Sequence, residues 1–469
     1  MNGSMRPRIG LVAVTLELYE TLVPGLRASR EGWLRRAVIP VLETSAEVLF
    51  GGAVFGREAV ESAVSDHERA GVDALVVVHL TYAPSQVLLP ALQRARVPIV
   101  LWNTQELGSV DASFTMAMMI DNHGVHGTQD LANVLRRSGV RFEYVTGGVG
   151  EAGVLEELAD AFAAAAAVGR LRRARVGLLG HPFPGMGDFA VDTTHWVATL
   201  GCEWRHLSVA DYIERSAGAD GAAVGSLVKE YEACYDVAAD VTAADLEATA
   251  RAECALRSMV REHGLSAITY QFMAFGEDDR CSTVPFVGAS RLMAEGVGFG
   301  GEGDVVSAAA TAFFQWLAPP ASFTEIFTMD AAGESVLLSH MGEANVGMAR
   351  RDRKVPLVAR ATPITRTRDR QLALVTCFEP GPATLTAMSL GSGGRWQVIA
   401  ARGEVLDFGP LPGFCVPHSK WRPAGGLRRF LTGYGRAGGP HHNALCFGDA
   451  CGRLRLAAGL LGAEYVELG

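Results

Sequence analysis

Three separated stretches of this 469-residue chain set carboxylates or imidazoles among glycines and turns. GFGGEGD, Gly298 to Asp304, places Glu302 between glycines, where backbone can approach a ligand closely. Glu302 and Asp304 also precede the apolar run VVSAAATAFFQWL, so both suit a helix N-terminus, where acidic groups complement the dipole. SFTEIFTMDAAGESVLLSHMGE, Ser322 to Glu343, holds Glu325, Asp330, Glu334, His340 and Glu343. Asp330 and Glu334 read as solvated turn residues, and His340 equally suits a satisfied histidine at a strand edge. GGPHHNALCF, Gly438 to Phe447, presents His441 and His442 in tandem. Neighbours on a strand point to opposite faces, so the pair cannot easily act as one unit. Together the three stretches offer a mixed oxygen and nitrogen donor set with no thiolate. That set suits Mn²⁺, with Mg²⁺ or Co²⁺ as substitutes, and disfavours a cysteine-rich zinc site. Two glutamates would neutralise the ion and leave positions open for paired sugar oxygens. A carboxylate there can move a proton between adjacent carbons. Glu and His also build metal hydrolases, but no H-E-x-x-H is present.

The elements that must position these residues alternate. RIGLVAV, VDALVVVHL, PIVLWNT and RFEYVTG read as buried strands separated by helical stretches, a doubly wound α/β pattern. Ligands of such sheets sit beyond the carboxyl ends of the strands, which is where Thr104 and Gln105 fall. An Ala-rich helix ends in LRRAR, and RVGLLGH then begins a second α/β unit. From about residue 320 short β-like runs recur between Gly and Pro, which reads as antiparallel sheet or barrel. The expected organisation is two doubly wound α/β domains, 1–172 and 173–319, followed by a mainly antiparallel β C-terminal domain, 320–469, that completes the metal site.

A formal net charge of −9 without a long basic run argues against nucleic acid and acidic membranes as partners. No apolar stretch reaches the roughly 18 residues of a membrane span, and the N-terminus has no signal-peptide pattern. Eight scattered cysteines without C-x-x-C fit a reduced, cytoplasmic setting.

The three stretches also resemble the L-arabinose isomerases, within the wider L-arabinose/L-fucose isomerase group. RLMAEGVGFGGEGD is similar to the family's stretch ending in G-E-G-D, and SFTEIFT to its S-F-x-E segment. LSHMGE is similar to H-M-L-E, and AGGPHHNALCF to A-G-G-x-H-H. SLVKEYEACYDV and NHGVHG resemble further segments. The resemblance implies metal ligation by Glu302, Glu325, His340 and the second histidine of the pair, His442. Glu302 and Glu325 would also be the proton-transfer pair, converting an open-chain aldose to a ketose through a cis-enediol. His441 would turn to substrate or to a supporting partner. His126 of NHGVHG would bind substrate in a neighbour's site, because family members form trimers or hexamers with shared sites. Two segments depart from the pattern. Leu16 stands where the family has a sugar-contacting glutamine, and Ile326, Phe327, Thr328 and Met329 replace D-Y-T-Y. Leu16 and Phe327 would therefore line an altered pocket beside Gln105. The function expected is a metal-dependent aldose–ketose isomerase acting on a free pentose or hexose of the L-arabinose/L-ribulose kind. The alternative is a non-catalytic sugar-binding or regulatory protein on the same fold.

Overall fold

The computed structural model describes residues 6–276 and 278–469. They form two compact units, one of residues up to 170 with 455–462, the other of 171–454 with 463–469. Among the described residues no helix is long and apolar enough to cross a membrane.

The first unit is built on five parallel strands: β1 (Arg8–Val14), β2 (Glu47–Leu49), β3 (Ala74–His79), β4 (Ile99–Asn103) and β5 (Phe142–Thr146). Their order is β2-β1-β3-β4-β5. Helices cover the sheet, so a central strand is apolar throughout. ALVVVH in β3 is fully buried, and Val12, Leu75, Val77, Leu88, Leu101 and Leu131 share one core. Helix Val125–Arg137 begins inside NHGVHG. A Cβ at Gly124 would lie 2.4 Å from the His79 carbonyl oxygen, and one at Gly127 2.7 Å from the His79 ring. The motif's glycines therefore let this helix seat on the end of β3.

The second unit opens with four parallel strands. These are β6 (Arg175–Leu179), β7 (Glu203–Leu207), β9 (Ala267–Tyr270) and β10 (Gly298–Gly300), in the order β10-β9-β6-β7; β8 (Asp236–Val237) lies elsewhere. The chain then turns antiparallel, through β11 (Ala321–Asp330), β12 (Ser335–Ser339), β15 (Gly381–Leu390), β16 (Trp396–Val405), β17 (His418–Pro423) and β18 (His442–Phe447). These six run β15-β18-β11-β12-β17-β16, and β15 also pairs with β16, so the sheet closes into a barrel. β19 (Glu464–Leu468) adds to β16 in parallel, while β13 (Pro356–Arg360) and β14 (Gln371–Leu374) join β8 in a small separate sheet. Helix Val305–Leu317 packs against β9 and β10 on one side and against β11, β15 and β18 on another. That double contact explains why VVSAAATAFFQWL is apolar nearly all round.

The architecture is the expected one: parallel α/β layers followed by an antiparallel barrel. β1 covers the same residues as the run RIGLVAV. EWRHL, β7, carries too many charges to stand out as a buried strand, and the barrel segment also holds an unforeseen helix, Leu427–Arg436.

Candidate metal centre

The barrel register does the first part of the assembly. β11 and β18 run antiparallel with Glu325 directly opposite His442, and β12 places Ser339 on the other side of Glu325. Cross-strand partners share a face, so Glu325 and His442 converge, and His340 follows Ser339 one residue past the end of β12. The register slips between Ile326 and Thr328, which makes Phe327 the extra residue of a bulge. Its side chain is partly exposed two residues beyond Glu325.

The parallel sheet supplies the other carboxylate. Glu302 follows β10 with φ +60, uncommon for a residue with a side chain, and Gly303 has φ +80. A Cβ on Gly303 would sit 2.5 Å from the His181 carbonyl oxygen, and one on Gly301 2.6 Å from His340 Nε2. The glycines around Glu302 thus admit close neighbours and tip its carboxylate toward the barrel.

The donor atoms meet. His442 Nε2 is 3.0 Å from Glu325 Oε1 and 3.8 Å from Glu302 Oε2. His441 Nε2 is 3.7 Å from both of those oxygens. Each of Glu302, Glu325, His441 and His442 offers one ligand atom within 4.8 Å of the others. Three of the four ligands named from the sequence are in this set. His340 stands alongside, its ring 6.2 Å from that of His442, with the buried Phe323 ring 4.8 Å and 4.9 Å from the two imidazoles.

Each imidazole is held from behind by a carboxylate. His442 Nδ1 lies 2.8 Å from Asp304 Oδ2, while Asp304 Oδ1 accepts from Ser307 N and caps helix Val305–Leu317. His340 Nδ1 lies 2.5 Å from Glu343 Oε2, and Tyr270 Oη donates to the other Glu343 oxygen. Asp188 Oδ2 accepts from His441 N at 3.0 Å and pairs with His441 Nδ1 at 2.6 Å. In all three the Nε2 edge is left for other work, the arrangement usual behind metal-bound histidines.

Electrostatics mark the place as a seat for a cation. Burial disfavours the His442 imidazolium, but Asp304 and Glu325 outweigh it and push its pKa up to about 10. Burial alone would raise Glu325; its close approach to His442 and the imidazole charges bring it below the ordinary value. Glu302 Oε2 and His442 Nε2 are both buried without a hydrogen-bond partner, the 3.0 Å approach of Glu325 being out of line for one. Two convergent, largely buried carboxylates beside a buried imidazole edge, with Glu302 Oε2 and His442 Nε2 unsatisfied, fit a hard or borderline divalent ion.

The remaining site residues named from the sequence lie at the carboxyl edge of the first unit's sheet. Leu16 follows β1 half-buried, its backbone N–H bonded to Thr81 Oγ1. Gln105 is exposed after β4 and turns its amide to the Leu107 carbonyl. His126 stacks on Tyr82 with centroids 4.3 Å apart and packs 3.9 Å from His123, whose Nδ1 meets Tyr19 Oη at 2.8 Å. Asp188, Tyr270, Tyr19 and Tyr82 carried no local signal. Asp304 and Glu343 carried one, the G-E-G-D and H-x-x-E spacings, but Asp304 reads there as a helix-terminus acid and Glu343 receives no role.

Comparison with known proteins agrees with this geometry. Residues 186–319 match the family model of the L-arabinose isomerase central domain, and 320–464 that of the L-arabinose isomerase C-terminal domain. An L-arabinose isomerase of Acidothermus cellulolyticus is 27% identical over 453 residues, 92% of this chain and 87% of that protein. One from a Nocardioides species is 28% identical over 450 residues, covering 91% and 86%. One from Clavibacter sepedonicus is 28% identical over 427 residues, covering 87% and 81%.

Proposed function

As a member of the L-arabinose isomerase family this chain is an aldose–ketose isomerase, and we propose that it acts on a free pentose or hexose with one Mn²⁺ ion at Glu302, Glu325 and His442. The observation that carries the reading is the pair of buried atoms without partners, Glu302 Oε2 and His442 Nε2, inside a cluster of two carboxylates and two imidazoles. His340 and His441 are the nearest further imidazoles, and the resemblance favours His340 as the fourth ligand. When bound, the ion supplies Lewis acidity to the sugar's carbonyl and neighbouring hydroxyl.

The chain's own groups supply the rest. Glu302 and Glu325 face one space from different sheets, so a sugar between them presents C1 and C2 to both. One carboxylate takes the C2 proton, giving a cis-enediol, and returns it to C1. His441, fixed by Asp188 and 3.7 Å from both carboxylates, is placed to hold a sugar hydroxyl or pass its proton. Asp304 and Glu343 keep the Nε2 edges of His442 and His340 turned inward. Phe327, apolar where the resemblance expects a polar residue, favours a sugar with fewer hydroxyl contacts on its side, and the resemblance gives Leu16 as a further sugar-facing position. The resemblance further supports a homotrimer or homohexamer in which His126 of the partner subunit completes each site. Eight unpaired cysteines suit a cytoplasmic enzyme.

The test is a panel of aldoses and ketoses incubated with the dialysed protein and Mn²⁺, read by chromatography. Interconversion that stops on chelation and returns with Mn²⁺ is expected. Full turnover in the presence of a strong chelator contradicts the metal, and no interconversion of any sugar contradicts the activity.

A further inference from the structure

Neighbouring residues of a strand point to opposite faces, yet His441 and His442 face the same two carboxylates. Their ring centres are 4.0 Å apart. The strand register accounts for His442 alone, because β18 begins at that residue and His441 lies just outside it. His441 is turned by Asp188 instead. One oxygen of Asp188, Oδ2, accepts from the His441 backbone N–H at 3.0 Å and meets its Nδ1 at 2.6 Å. That double grip fixes both the chain and the ring, and leaves Nε2 3.7 Å from Glu302 and from Glu325. The His441 side chain is 38% exposed, so without the grip its ring is free to swing into solvent.

Asp188 belongs to GHPFPGMGDFAVD, residues 180–192, which joins β6 to helix Thr193–Leu200. These thirteen residues form no helix or strand, whereas connections between a strand and a helix usually take about two to six. Connections of that length inside a compact fold are usually functional. This one is tied down at the metal centre. Phe183 N donates to the Glu302 carbonyl at 2.9 Å. Phe189 is buried and lies flat against His442, the ring centres 5.6 Å apart and the planes 6° from parallel, with the His441 ring 5.9 Å away. Between those ties Pro184, Gly185 and Gly187 are exposed, and a Cβ on either glycine would meet nothing within 4 Å. Phe189 thus anchors the segment on one imidazole and sets Asp188 against the other.

Resting on the isomerase reading above, we propose that Asp188 is a positioning residue of the reaction, carried by segment 180–192 and holding His441 turned toward the sugar. The two histidines then divide the work according to what holds them. His442, backed by Asp304 at the start of the shared helix, serves the metal. His441, backed by Asp188 from the segment, serves a sugar hydroxyl between Glu302 and Glu325. Loosening the segment's hold disturbs the sugar and spares the metal.

The experiment uses the full-length, Mn²⁺-loaded protein and the sugar of the panel that it interconverts fastest. Asp188→Ala, His441→Ala and the double variant are compared for kcat/KM, and for Mn²⁺ affinity by titration. Asp188→Ala is expected to lose about 100-fold in kcat/KM, the cost of a misplaced contact, while Mn²⁺ affinity changes by less than about twofold. The double variant should be no worse than His441→Ala, because Asp188 acts through that ring. A residue that merely supports the fold would cost the same with or without His441. Asp188→Asn, whose amide oxygen still accepts from the His441 N–H, should recover part of the loss. Should the alanine variant not fold, the same cycle run with Asp188→Asn decides. Losses that multiply in the double variant, a loss of Mn²⁺ affinity matching that in kcat/KM, or no loss at all overturn the inference and leave the isomerase standing. No turnover of any sugar by the parent chain overturns both.

Discussion

Asp304 serves two groups at once. One oxygen caps the helix that the two sheets share, and the other holds His442 in place. The same proximity of charge gives the site its pH behaviour. The His442 pKa, pushed up to about 10, lies above its unfolded value near 6.5, so the imidazolium's ion pairs stabilise the metal-free fold fully below pH 6.5. That contribution is lost as pH rises through about 10. A metal ion at Nε2 must displace this proton at any lower pH, so binding should release about one proton per ion at pH 7–8. Apparent Mn²⁺ affinity should rise with pH accordingly. Titration calorimetry in buffers of different ionisation enthalpy measures the proton count, and a count of zero would contradict His442 as a ligand. Within the pair, His442→Ala should cost far more Mn²⁺ affinity than His441→Ala, because His442 is fully buried against both carboxylates whereas His441 is partly exposed. Equal losses in a metal titration would overturn that order.

Strand pairing explains what could be read in advance and what could not. β1, β3, β4 and β6 are short apolar runs whose burial is written into their composition, and the family resemblance named Glu302, Glu325 and His442, which the fold brings together. The support for those residues was not legible, because it comes from distant segments. Asp188 reaches His441 across 253 positions, and Tyr270 reaches Glu343 across 73. Such pairs appear only once β9, β10, β11 and β18 are brought side by side. The bulge at Phe327 was equally hidden, since a one-residue slip leaves no mark in composition. Element edges also carry liabilities. Glu143 on β5 is part-buried, and burial pushes its pKa up to about 7. The folded chain therefore keeps this proton above the pH at which the unfolded chain loses it, and stability falls as pH rises from about 4.5 to about 7. Glu143→Gln should stabilise the fold by about 1 kcal/mol at pH 8, after allowance for its partial exposure, and by little at pH 4. Thermal melts at the two pH values measure this, and an equal gain at both would contradict the cause.

At the scale of the whole molecule, the metal-site residues all belong to the second unit, while Leu16, Gln105 and His126 belong to the first. If His126 of the partner subunit completes each site, two inactive variants should rescue each other. Mixing and reassembling His126→Ala with Glu325→Gln should regenerate up to about a quarter of full sites in a randomly mixed cyclic oligomer. An active monomer, or no rescue after verified exchange, would contradict sharing. Beneath all of this lies the claim that two carboxylates of the family's fold move a proton on a sugar at a metal centre. The direct measurement is turnover in deuterated water with Mn²⁺, following deuterium at C1 and C2 of sugar and product by NMR. The account predicts Mn²⁺-dependent interconversion with solvent deuterium entering at those carbons. It also predicts a loss of about 10²–10⁴-fold in Glu302→Gln or Glu325→Gln, whichever removes the base, not recovered by excess Mn²⁺. Interconversion without deuterium uptake, with both variants rescued by added metal, would contradict it.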